Sequence, residues 1–345
     1  AGKDAGEALG LPPVGIRICP KLGDALGGAD TLILGYVDEL GRIGRRDVLR
    51  ESVGAALAAG LHVFSFLPVL PAKYGDLHAE ARRRNLKIAY PGVDNAEVEA
   101  LLRRSSRYGA VDIPVLGVFG TSSQQGKFTL QLALRRRLQK AGYAVGQVGT
   151  EHHSALFGMD FSFPIGYASP LELPLQWYAP FLDARMREIA HLRKPDIMLV
   201  GCQSGTIPYA IEHPSTHTIT SLAFLLGTRP DAVVLVVNSI DPEEYVADTI
   251  ACLRGLAKAP TIALAMSDKE KHIRAAYGRS WITPRQMSAV EIDSNLHRLE
   301  DRFGIPAAAI LSRAGEGRLV ETVVAHFSQD PEQENAGTGR DEEAG

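Results

Sequence analysis

The stretch Val115-Leu116-Gly117-Val118-Phe119-Gly120-Thr121-Ser122-Ser123-Gln124-Gln125-Gly126-Lys127-Phe128-Thr129 constrains this chain most. An apolar β-type run enters a loop of small residues that ends in Gly126-Lys127. Leu130, Leu132, Ala133, Leu134 and Leu138 then follow at helical spacing. Strand, glycine loop, lysine and helix in this order are the context a P-loop needs. The backbone N–H groups of such a loop, with a helix N-terminus behind them, form an anion cradle, and Lys127 adds a positive charge over a phosphate. The residues assigned to phosphate or cofactor binding are therefore Gly120, Thr121, Ser122, Ser123, Gln124, Gln125, Gly126, Lys127, Phe128 and Thr129.

Two details set this loop apart. Five residues, Thr121 to Gln125, separate Gly120 from Gly126-Lys127, where the common pattern has four. This longer GTxxxxGK form resembles the loop of dethiobiotin synthetase. The position after the lysine, normally a Ser or Thr whose hydroxyl binds Mg²⁺, holds Phe128. Thr129 follows one residue later, about 100° further round the helix. An anion cradle survives this exchange, whereas one metal contact does not.

Around the loop, strand-like and helix-like segments alternate, as in a doubly wound α/β protein. Upstream, Thr31–Tyr36, Leu61–Leu67 and Leu86–Tyr90 read as strands, with helices from Asp47 and over Asp76–Arg84 between them. This is a small Rossmann-like βαβαβ unit. No GxGxxG follows its first strand, so it is not read as a dinucleotide domain. Downstream, strands are expected at Tyr143–Thr150, Asp196–Gly201, Asp231–Asn238 and Thr261–Met266. The domains expected are a loose N-terminal segment at 1–29, a Rossmann-like domain at 30–109, a P-loop α/β domain with a parallel sheet at 110–327, and a disordered acidic tail at 328–345.

Composition narrows the function classes. The 345 residues, 45% hydrophobic and 22% charged, can build two domains with sizeable cores. A net charge of −3, with no basic block interleaved with aromatics, points away from nucleic acid. The three cysteines are scattered and form no CxxC, so a reducing compartment and no structural metal are expected. No apolar run reaches the roughly 18–20 residues of a membrane span, and the start is not a signal peptide. A soluble, cytoplasmic protein with a small-molecule substrate and no membrane partner follows.

In open parallel sheets the ligand lies beyond the carboxyl ends of the strands. There this sequence places Glu151, His152 and His153, which offer acid–base groups near neutral pH. After the next strand come Cys202, Gln203, Ser204 and Gly205. Gly201 stands where a P-loop hydrolase normally carries the acidic residue that supports Mg²⁺. Gln203, Ser204 and Gly205 are assigned to substrate, and Cys202 is a nucleophile or a buried structural thiol. Asn238 ends the following strand, as a base-reading residue or a helix cap. The aromatic stretch 155–180 is a lid, a substrate wall or a dimer contact, which leaves a homo-oligomer open.

The small N-terminal domain, the GTxxxxGK loop, the turn Cys202-Gln203-Ser204-Gly205 and the segment Gly227-Thr228-Arg229-Pro230-Asp231-Ala232-Val233 together resemble a two-domain P-loop family. Its members long lacked an assigned function, and the described ones include D-glutamate N-acetyltransferase. The resemblance spans roughly residues 30–325. It implies a coenzyme A thioester, acetyl-CoA, with its phosphates in the P-loop and no metal. It also implies an N-acyltransferase acting on an amino acid or similar small amine; for the base such a reaction needs, this chain's own residues offer His152 or His153, with Glu151 orienting it or sharing the role. The chain departs from the family at Gly201, where a Glu is usual, and at Glu151-His152-His153-Ser154, where the family has Gly-Gln-Thr-Gly-like residues. D-glutamate is therefore not carried over as substrate. The second reading is an ATP- and Mg-dependent ligase or kinase, with Glu151 or Asp160 replacing the missing metal contacts. The third is a non-catalytic regulator that binds a nucleotide or CoA.

Overall fold

The computed structural model describes residues 2–37, 46–93, 95–109, 111–166, 169, 171–208, 218–276 and 279–328. The acidic tail expected from 328 onward lies, beyond Ser328 itself, outside the described residues, as do Asp38 to Gly44. The chain forms two compact units, one of residues 1–92 with Ser169, the other from Val93 onward. The fold is α/β, with mainly parallel sheets. Among the described residues no helix is long and apolar enough to cross a membrane.

The first unit opens with two four-residue helices, α1 (Ala5–Ala8) and α2 (Leu22–Ala25). The segment expected to be loose is thus partly folded back on itself. The Asp4 carboxylate accepts from the backbone N–H groups of Gly6 and Val14 at 2.8 and 2.9 Å. Three parallel strands follow in the order β1 (Thr31–Leu34), β2 (His62–Ser65), β3 (Ile88–Ala89). Helices α3 (Val48–Ala58) and α4 (Pro71–Arg83) connect them. Asp47 caps α3 by accepting from the Arg50 N–H, and Pro71 opens α4, where a missing N–H costs nothing. Val53, Leu57, Val63, Tyr74 and Leu77 form the core.

The second unit is built on a seven-stranded sheet. Its strands are β4 (Val115–Gly120), β5 (Val145–Gly149), β6 (Phe161–Ser162), β7 (Ile197–Gly201), β8 (Ala232–Val237), β9 (Thr261–Met266) and β12 (Ala307–Ala309). They lie in the order β12-β9-β8-β4-β7-β5-β6. An antiparallel hairpin, β10 (Lys269–Ala276) and β11 (Arg279–Gln286), follows β9 and stands apart from the sheet. Helix α5 (Asn95–Ser105), grouped by sequence with the N-terminal domain, sets Val98 and Leu101 into the core of this second unit.

Alternation along β4 explains the layering. Leu116 and Val118 face one side, with Leu130, Leu134 and Leu138 of α6 (Lys127–Lys140) and Leu319 and Val323 of the last helix, Arg313–Phe327. Val115 and Phe119 face the other side. There α7 (Tyr178–Arg193), α8 (Thr218–Thr228) and α9 (Glu243–Ala257) contribute Phe181, Phe224 and Leu253. Fully burying each such side chain contributes about 1.5–3 kcal/mol, so the sheet is rigid beneath the loop it carries. The chain leaves β4 for β5 and β6 on one side, returns through β7, then builds β8, β9 and β12 on the other. The carboxyl end of β4 is thus the switch point, where such sheets hold ligands.

Candidate functional site

The loop Gly120–Gly126 sits on that switch point. Gly126 has φ +92° and caps α6 from the left-handed region, which a glycine enters without strain. Gln124 also has positive φ, at +55°, the cost a non-glycine bears in a loop held by its surroundings.

Two side chains template the loop from within. The Gln125 Oε1 accepts the Ser122 N–H at 2.9 Å, and its Nε2 donates to the Thr121 Oγ1 at 2.6 Å. Asp241, just past β8, accepts from the Thr121 hydroxyl at 2.5 Å, the Gln125 amide at 3.3 Å and the Asn238 N–H at 2.7 Å. The Tyr245 hydroxyl lies 2.5 Å from the Thr121 carbonyl and 2.8 Å from that of Ile207. Gly205 packs so tightly on the loop that a Cβ there would stand 2.5 Å from the Thr121 carbonyl oxygen.

Two ammonium groups converge on this loop. Lys127, buried at the first turn of α6, donates to the Ser122 carbonyl at 2.5 Å. Lys271, buried on β10, donates to the Ser122 Oγ at 2.6 Å and to the Ser123 carbonyl. Burial pushes both down to about 8. For Lys127 the Lys271 charge adds to that shift, while Glu151 and Asp241 oppose it. A cavity of about 280 Å³ opens beside the loop, lined by Gln124, Gly126, Thr129, Ser267, Asp268 and Lys271 among others.

The depressed lysines give a prediction with a definite sign. An unfolded chain keeps these protons up to the ordinary lysine value of 10.5, while the native state releases them near 8. The unfolded state then binds more protons, so the stability of the ligand-free protein rises with pH above about 8. Cys202 acts oppositely only above its ordinary value of 9, because burial pushes it up to about 12. Thermal unfolding between about pH 7.5 and 9 should therefore show a rising melting temperature. Phosphate binding, which needs the charged form, should weaken over the same range. A flat or falling melting curve would contradict the burial of charge in this loop.

The remaining assigned residues surround the same strand ends. Glu151 feels the Lys127 charge, yet burial dominates and raises its carboxyl above the usual range. His152 is buried. The His153 ring packs edge-on against Phe128 and Phe157, with centroids 4.7 and 5.7 Å away, and burial lowers its pKa. Gln203 turns to β5, its N–H donating to the Thr150 Oγ1 at 2.8 Å and its amide to the Thr150 carbonyl. Ser204 holds a positive φ of +65°. Asn238 is buried, and its Oδ1 lies 3.4 Å from both the Ser239 Oγ and the Ile240 N–H, within its own turn. The helix that follows has no side-chain cap. The Cys202 thiol, buried and held protonated to about 12, is not a nucleophile near neutrality.

The usual Mg²⁺ contacts do not fit here. The Phe128 ring is packed into the His153–Phe157 cluster. A Cβ built on Gly201 would overlap the Gln131 amide, so Gln131 fills the space a carboxylate would need. Asp160, expected as a replacement ligand, instead accepts the Gln147 N–H at 2.8 Å and pairs with Arg193 at 3.0 Å. Sequence reasoning missed Asp241, Lys271, Gln131 and Tyr245. Asp241 and Lys271 each follow the carboxyl end of a strand, β8 and β9, which is the signal that marks them.

A glycine loop ending in a buried lysine at a helix N-terminus, on the central strand of a doubly wound parallel sheet, defines a P-loop α/β protein. The chain belongs to the DUF1611 family. Residues 100–320 match the model of that domain of unknown function, described as a P-loop domain. A solved DUF1611 family protein from Anabaena variabilis ATCC 29413 is similar at 15% identity and a TM-score of 0.66, covering 94% of this chain and 88% of its own. A nucleotide-binding protein in complex with ADP from Archaeoglobus fulgidus is similar at 13% identity over 68% of this chain and 94% of its own, with a TM-score of 0.35. A GTPase in apo form from Pyrococcus abyssi is similar at 14% identity over 64% of this chain and all of its own, also at 0.35. No curated protein matches.

These findings correct the expectation of an acetyl-CoA donor and an N-acyltransferase. The domain that matches residues 100–320 is described as a P-loop domain, not as an acyltransferase or a CoA-binding domain.

Proposed function

We propose that this protein is a nucleotide-dependent P-loop enzyme that uses a nucleoside triphosphate to phosphorylate or activate a small molecule, as a kinase or ligase does. One observation carries the reading. The cradle with its buried Lys127 adjoins a cavity in which Thr129, Ser267 and Asp268 offer hydrogen-bonding groups to a nucleoside. In this arrangement the loop N–H groups and Lys127 hold the phosphate oxygens and neutralise the charge that develops on the transferred phosphoryl group. Glu151, with its raised pKa, takes the proton of an acceptor hydroxyl or holds an acceptor carboxylic acid in place. The phosphoryl group passes to that oxygen and the nucleoside diphosphate leaves.

A thermal-shift series with ATP, GTP, ADP, CoA and acetyl-CoA tests this. A ligand that binds only the native state raises the melting temperature by mass action. Nucleoside di- and triphosphates should raise it, by an amount equivalent to about 2.7 kcal/mol at a hundredfold excess over Kd. If no nucleotide shifts the melting temperature at millimolar concentration, the reading is wrong.

A further inference from the structure

The loop has lost both protein groups that ordinarily support Mg²⁺, yet it has gained a cation. We propose that Lys271 is a second phosphate-binding residue, and that the Lys127–Lys271 pair replaces the divalent ion in neutralising bound nucleotide phosphates, so that this protein binds nucleotide without a metal. The inference rests on the nucleotide-binding reading above and deepens it.

Three independent features support the pair. First, the two ammonium groups reach the same loop residue, Ser122, from different elements. Lys127 comes from the first turn of α6 to the Ser122 carbonyl at 2.5 Å, and Lys271 from the β10 strand to the Ser122 hydroxyl at 2.6 Å and the Ser123 carbonyl. Second, Lys271 also lines the cavity beside Gln124, Gly126 and Thr129, so it stands between the nucleoside space and the phosphate cradle. Its hairpin partner Pro284 lines the same cavity. Third, the metal-supporting positions are built over rather than merely vacant. Phe128 is a packing residue, and the Gln131 side chain, buried beside Gly201, leaves its Oε1 without a hydrogen-bond partner. A neutral amide thus occupies the ground where a carboxylate would balance Mg²⁺. Two fixed positive charges compensate a polyphosphate there, whereas Mg²⁺ added beside them would meet repulsion at close range. The carboxylate of Asp241 touches the loop from behind, through Thr121, Gln125 and Asn238, and its charge favours the ammonium form of both lysines.

A purely structural Lys271 would brace the loop and leave metal dependence untouched, so the test reads metal dependence. ATP affinity is measured by calorimetry for the wild-type chain, Lys271→Met and Lys271→Arg, each with Mg²⁺ and with EDTA. The melting temperature of each ligand-free variant is recorded alongside. The wild type is expected to bind ATP with EDTA about as tightly as with Mg²⁺. Lys271→Met, which keeps the alkyl stem, should lose roughly tenfold to hundredfold in EDTA, and Lys271→Arg should retain most of the affinity. ATP binding by the wild type only with Mg²⁺ would overturn the inference while leaving the nucleotide reading intact. So would wild-type affinity in Lys271→Met with EDTA, or equal losses in Met and Arg variants that melt together well below the wild type. Failure of the wild type to bind ATP in either condition would overturn the nucleotide reading itself.

Discussion

Lys127→Ala should lower the affinity for ATP roughly tenfold to hundredfold, the loss of a hydrogen bond from a charged group at about 1.5–3 kcal/mol. The fold should survive. In the ligand-free protein the Lys127 ammonium is buried and, among the described residues, donates to the Ser122 carbonyl alone, and its pKa is driven down to about 8 by that burial. Removing it therefore removes a desolvated charge as well as a bond, and the melting temperature should hold or rise slightly. The two effects have opposite signs, which separates a binding residue from a structural one. Calorimetry with ATP alongside thermal unfolding reads both. Unchanged affinity would mean that the loop is an ordinary strand-to-helix turn with glycines for backbone reasons only.

The sequence makes this prediction possible because everything in it is local. The β4 run, the Gly126-Lys127 pair and the helical spacing of Leu130, Leu134 and Leu138 are neighbours in the chain, and their periodicities change at the loop. The parallel strands were legible for the same reason: β7 and β8 are unbroken apolar runs buried on both faces. The hairpin and β12 were not. Lys269-Glu270-Lys271 reads as a charged loop, and Ala307-Ala308-Ala309 has little strand propensity of its own, being held in place by pairing with Leu264 to Met266. The residues that complete the site are long-range by nature. Gln131 lies one helical turn beyond Lys127, and only the close approach of α6 to β7 reveals that it explains Gly201. Glycine at that position reads as a missing carboxylate, and in the fold the space beside it is taken by the Gln131 amide. Lys271 is separated from Ser122 by 149 residues, so no spacing rule reaches it. The acyl-CoA expectation had another origin, being carried by a resemblance of arrangement rather than by any residue that contacts a donor.

Asp241→Ala should destabilise the second unit by about 2–4 kcal/mol, because removing one acceptor strands several donors. Asp241 accepts from the Thr121 hydroxyl, the Gln125 amide and the Asn238 N–H, and both Thr121 and Asn238 are buried. The variant should also bind ATP more weakly. The loop loses its template, and the two lysines lose a carboxylate that raises both their pKa values, so a larger fraction of each is neutral at a given pH. Weakening of ATP binding with pH should accordingly set in lower than in the wild type. Asp241→Asn keeps an oxygen acceptor for the Asn238 N–H but not the charge. It should therefore recover part of the stability while retaining the displaced pH profile. Unfolding and ATP titration of both variants across about pH 6.5 to 9 separate the two contributions. An alanine variant as stable as the wild type, or an asparagine variant with an unshifted profile, would show that Asp241 neither templates the loop nor sets the charge on its lysines.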